Sequence, residues 1–104
     1  MNEIIYIVIG RTTGSPSEIW GVAAYGDEEA ARAHSEQAAA QTKRIQNNIR
    51  RAQKIRGKPF PEEKLQNFRA GNRYDPEMRV SGAVSYEVLL VPLAAGSGLQ
   101  RSEG

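Results

Sequence analysis

Between Lys43 and Lys58 the chain carries Lys43, Arg44, Arg50, Arg51, Lys54, Arg56 and Lys58 and no acidic residue. Cations that share one face make an electrostatic footprint for phosphates or for an acidic protein surface. On a helical wheel of about 100° per residue with Ile45 at zero, Lys43, Arg50, Arg51, Lys54 and Lys58 fall between roughly 140° and 240°. Ile49 and Ala52 fall within about 40° of Ile45 on the same wheel, and Ile55 lies near −80°. The cations therefore form one solvent face opposite an apolar stripe, interleaved with Gln46, Asn47 and Gln53. No aromatic residue stands among them, so nucleic acid bound there would be held by its backbone with little sequence preference.

The other candidate chemistry is thinner. His34 is the one histidine and there is no cysteine, which excludes disulfides, thiolate metal sites, cysteine nucleophiles and any two-histidine metal site within one chain. A proton-shuttling histidine needs a partner carboxylate and a cleft; His34 reads instead as a half-buried residue packed on a sheet. Thr12, Thr13, Ser15 and Ser17 crowd a loop with Gly14, but a phosphate cradle wants a helix and a lysine after it, and a strand follows. Trp20, Tyr25, Tyr6 and Tyr86 read as cross-strand core packing. Tyr74, ahead of Asp75-Pro76, reads as an exposed residue able to anchor a protein contact. Carboxylates are scattered without a nucleophile–base pair, so no enzyme, metal or cofactor is expected.

These residues are carried by 104 residues of chain, enough for one modest core. Hydrophobic residues at 39% are too many for wholesale disorder. The longest apolar runs, Ile4 to Ile9 and Val88 to Ala95, fall far short of the ~20 residues that span a bilayer, so no membrane contact is expected. Glu3 stands where a signal peptide would be basic. A cytoplasmic protein follows, or one of the host cytoplasm if encoded by a phage. The net charge of +2 hides a segregation, because outside residues 43–58 acidic side chains outnumber basic ones. Segregated charge selects partners rather than folds.

The order of elements reads strand, strand, long helix, short helix, strand. Glu3–Ile9 is β-branched and aromatic, with the near-continuous apolar character of a central strand. Glu18–Tyr25 follows a short turn, which favours a hairpin. Asp27 caps a helix with Glu28 and Glu29 in its first turn, and nothing breaks that helix before Gly57. Ala30, His34, Ala38, Gln41, Ile45, Ile49 and Ala52 form its apolar stripe. Pro61 opens a short helix to about Arg69, with Leu65 and Phe68 on one face. Ala83–Val91 is the last strand, closed by Pro92. The expected fold is α+β: a small, mainly antiparallel three-stranded sheet, β-β-α-α-β in chain order, with the long helix across one face and overshooting it. Residues 1–93 make one domain and residues 94–104 a disordered tail. The overshoot leaves Ile45, Ile49 and Ile55 to be covered by the short helix folding back with Phe60, Leu65 and Phe68, or by a homodimer.

The segments Ile19-Trp-Gly-Val-Ala-Ala-Tyr25, Asp27-Glu-Glu-Ala-Ala31 with His34, Tyr74-Asp-Pro76 and Tyr86-Glu-Val-Leu-Leu-Val-Pro-Leu93 resemble those of small accessory proteins of bacteriophages and prophages. The resemblance spans residues 4–93 and implies a role exerted by binding; residues 43–58 and Pro59-Phe-Pro61 stand outside it. The leading expectation is a non-enzymatic, phage-type interaction protein that binds a host or viral protein, with inhibition of a host defence such as CRISPR as one form. The alternative is a nucleic-acid-binding accessory protein. Either would use Lys43, Arg44, Arg50, Arg51, Lys54 and Lys58.

Overall fold

The computed structural model describes residues 2–94. Strands β1 (Asn2–Thr12), β2 (Ile19–Tyr25) and β3 (Val84–Ala94) form an antiparallel sheet in the order β2-β1-β3. The most apolar strand is central, as its sequence predicts. Helices α1 (Glu28–Arg56) and α2 (Glu62–Ala70) lie between β2 and β3 in the chain. The fold is the expected α+β arrangement.

Local chemistry sets the ends of α1. The Asp27 carboxylate accepts from the Ala30 amide at 2.8 Å, and Gly57 closes the helix at φ 80°, its N–H donating to Gln53 O. That left-handed conformation is open to glycine at little steric cost. β3 runs past Pro92 to Ala94, longer than the sequence suggests, because an edge strand tolerates a residue without an amide hydrogen. Ala94 pairs with Asn2, so the proposed tail begins no earlier than residue 95 and lies outside the described residues.

β1 and β2 lose register between Val8 and Ile9, where Val22 is the extra residue on β2. Trp20 and Tyr25 are an odd number of positions apart and would point to opposite faces of a regular strand. The bulge brings both to the side of α1. There Trp20 lies over Gly10, at which a Cβ would come within 2.6 Å of the indole.

α1 rests on two different supports. Its first half lays Ala31 and Ala38, both fully buried, on the sheet around Val8. Its second half buries Ile45 and Ile49 with Met78 in a cluster closed by Phe60, Leu65, Phe68 and Val80. The short helix therefore folds back, and the need for a homodimer through Ile45, Ile49 and Ile55 disappears. Ile55 does not belong to that ridge: it is 81% exposed, because it sits nearly a quarter turn off the stripe. The buried line runs Ala31, Ala38, Thr42, Ile45, Ile49, leaving Ala30, His34, Gln41 and Ala52 half-buried at its margins.

Candidate anion-binding face and the polar core behind it

The cations Lys43, Arg44, Arg50, Arg51, Lys54, Arg56 and Lys58 are all exposed. The ion pairs of the described residues lie elsewhere, at Arg11–Glu87, Arg32–Glu28, Arg69–Glu62 and Arg79–Glu18. Three guanidiniums instead reach back one turn to a side-chain amide oxygen. Arg50 donates to Asn47 Oδ1 at 2.8 Å, Arg51 to Asn48 Oδ1 at 3.4 Å, and Arg44 to Gln41 Oε1. These neutral partners orient the cations without cancelling their charge.

The sequence grouping needs two adjustments. Arg56 donates to Pro59 O at 2.9 Å and lies 4.6 Å from the centre of the Phe60 ring, so it helps fasten the turn after α1. Lys58 follows the Gly57 cap, where the chain has left the helix, so its wheel angle does not apply. The helical face proper spans Lys43 to Lys54, about 17 Å at the helical rise, with Lys58 beyond its end. Beside it, Lys43, Asn47 and Arg50 form one wall of an open groove of about 630 Å³, and Gly82, Ala83 and Val84 form the other. Gln46 ties the two walls together by donating to Arg79 O at 2.7 Å and Gly82 O at 3.1 Å.

Tyr74 does not join this face. It is half-buried, its carbonyl accepts from His34 Nε2 at 2.8 Å, and its ring meets the imidazole edge-on. A carbonyl only accepts, so Nε2 carries a hydrogen, and Nδ1 is hydrogen-bonded with the Tyr25 hydroxyl at 2.8 Å. Both nitrogens of His34 are occupied in holding α1 to β2 and to the segment after α2. Among the described residues no cluster of His, Asp and Glu could hold a metal ion, and no helix is long and apolar enough to cross a membrane.

Sequence reasoning missed the polar network beneath Tyr74. Asp75 is 1% exposed, and its carboxylate accepts from Trp20 Nε1 at 3.0 Å, the Glu77 amide at 3.1 Å and the Tyr86 hydroxyl at 2.5 Å. Because that phenol hydrogen is committed, Thr42 donates to Tyr86 at 2.8 Å and in turn accepts from Asn72 Nδ2 at 2.9 Å. Asn72 Oδ1 accepts from the amides of Tyr74 and Asp75. A directed chain thus runs Asn72, Thr42, Tyr86, Asp75, joining α1, β3 and the loop, and Trp20 ties β2 to its end. Burial, reinforced by the bond to Asp75, holds the Tyr86 hydroxyl well above the ordinary phenol range. The signal available in sequence was Asn72 three residues before Asp75-Pro76, the pattern of side chains that cap their own backbone.

Comparison with protein-family models, curated proteins and solved structures found no match to this chain. Its functional reading therefore rests on its own geometry.

Proposed function

We propose that this chain is a non-enzymatic binding protein that docks the phosphate backbone of a nucleic acid on the outer face of α1. The observation that carries this is the exposure of Lys43, Arg44, Arg50, Arg51 and Lys54 along one helix face, with no carboxylate of the described residues within 4.0 Å. Protein-binding surfaces centre on an apolar or aromatic patch and are depleted in lysine. Nucleic-acid interfaces are polar and strongly basic. The stretch from Lys43 to Lys54 follows the second pattern, and its amide side chains are the type that donate to phosphate oxygens.

The test is affinity for generic duplex and single-stranded nucleic acid as a function of salt. Changing Arg50, Arg51 and Lys54 together to Glu should weaken binding by at least about 100-fold at low salt. It should also flatten the slope of log K against log salt by about 3, the share of three phosphate contacts. Wild-type affinity in the triple variant would mean that the face is only solvated.

A second reading is favoured by Ile55, an exposed isoleucine one helical turn from Arg51 that would give an acidic protein surface an apolar anchor. A phage-type inhibitor of a host defence would bind in this way. Recovery of one stoichiometric protein from nuclease-treated host lysate, lost on Ile55→Ser, would favour it over the first.

A further inference from the structure

We infer that the sheet face turned away from α1 is the interface of a homodimer, formed with a second copy of this chain. Val8 is buried on the α1 side, and Tyr6, Val88 and Leu90 line a groove there with Glu28 and Arg32 of α1. Strand side chains alternate, so the odd-numbered residues of β1 and β3 stand on the opposite face. Register aligns them there as Ile5 with Val91, Ile7 with Leu89 and Ile9 with Glu87. Among the described residues α1 is the helix that packs on the sheet, whereas α2 packs on the second half of α1. The face is aliphatic, with Leu89 at 42% and Ile19 at 58% exposure, Ile5, Ile7 and Val91 half-buried, and Ile9 buried at 6% on the side where Arg11 pairs with Glu87.

The charge pattern identifies the occupant. Along β1 this face reads Glu3, Ile5, Ile7, Ile9, Arg11: an apolar centre with opposite charges at its two ends. A two-fold axis at Ile7 reverses the second strand, which sets Glu3 of one protomer toward Arg11 of its partner, and the converse. Face-to-face sheets pack about 10 Å apart and cross at about 30°, so the strand ends, roughly 13 Å from the axis, diverge by about 7 Å. An arginine and a glutamate span that together. Arg11 already donates to Glu87 at 2.6 Å and has further N–H groups for a second carboxylate. A polarity sequence that complements its own reversal fits another copy better than an unrelated surface.

Area sets the strength. Two strands of eleven residues and one of seven cover roughly 460 Å² at about 3.3 Å per residue and 4.8 Å per strand. The pair would bury about 900 Å², just under the ~1,000 Å² of durable interfaces, which makes this a dimer of the weak, concentration-dependent class. The inference is independent of the basic face.

The experiment is molar mass by light scattering on the full chain at about 1 µM and about 200 µM, a range chosen for an interface of that size. Mass should rise from 11.4 kDa toward twice that value. Leu89→Lys, at an already exposed position, should stay monomeric throughout with its melting temperature little changed. Glu3→Arg should also weaken the dimer, and Glu3→Arg with Arg11→Glu should restore it, because exchanging the ends preserves self-complementarity. A monomer at 200 µM overturns the inference, as does a Leu89→Lys variant that dimerises like wild type. So does a chain that dimerises only after deletion of residues 95–104, which would make that segment the occupant.

Discussion

The two halves of α1 are one helix built for two purposes. Residues 28–42 are alanine-rich, mix Glu28, Glu29 and Glu36 with Arg32, and lie close against the sheet. Residues 43–56 carry Ile45 and Ile49 inward, only positive charge among their ionisable side chains, and rest on α2 and the loop before β3. Small side chains allow a helix to approach a sheet whose own residues fill the gap. Where no sheet lies beneath, the helix must bring its own bulk and find a partner for it. The half free of the sheet is also the half that presents a single sign of charge, its cations making no ion pair with the described carboxylates.

The largest blow to this contrast should come from Asp75→Ala, which strands the Trp20 and Tyr86 donors in the interior. A loss of about 2–4 kcal/mol is expected from groups left unpaired there. Because the network joins three elements and α1, hydrogen exchange should quicken along the whole helix. Thermal or denaturant melts read the energy, and exchange mapped by residue reads the extent. Ile49→Ala should cost somewhat less, about 2–3 kcal/mol, since the cavity forms in the small cluster around Met78. Faster exchange there should be confined to about residues 43–70, while 30–42 stay protected. Uniform exchange changes in both variants would show that the halves open as one.

A third effect depends on pH. The folded chain keeps the Tyr86 proton above the ordinary phenol pKa near 10, where the unfolded chain releases it. The unfolded state then binds fewer protons, so stability should fall as pH rises beyond about 10. Tyr86→Phe should be less stable at neutral pH yet show a shallower alkaline decline in melting temperature. Smallest of all, changing Arg50, Arg51 and Lys54 to Glu should cost no more than about 1 kcal/mol, through the helix dipole. A larger loss by urea titration would mean that the basic face supports the fold as well as any partner.

Much of this molecule is legible in its sequence because periodicity and end signals are local. Asp27 and Gly57 bound α1, the β-branched run centres β1, and Leu65 and Phe68 announce the inner face of α2. The basic face is legible for the same reason, since a helical wheel needs only spacing. What sequence reading misses is what depends on contact at long range. Ile55 has the right residue type but the wrong angle for the covered ridge, and Tyr74 passes for a surface anchor until His34 is found bonded to its carbonyl. Asp75 looks like turn chemistry, and only the approach of Trp20 and Tyr86 makes it the acceptor of a buried network.

Val22 carries no side-chain role in that network, yet it settles which residues reach it. As the unmatched residue of β2 it resets the alternation of the strand, so that an indole and a phenol five positions apart can both face inward. Substitutions at such a position alter little, whereas losing or gaining one residue inverts everything on one side of it. The strand is thus tolerant of spelling errors and intolerant of frame errors. Deleting Val22 would turn Trp20 away from Asp75 without changing a single other amino acid.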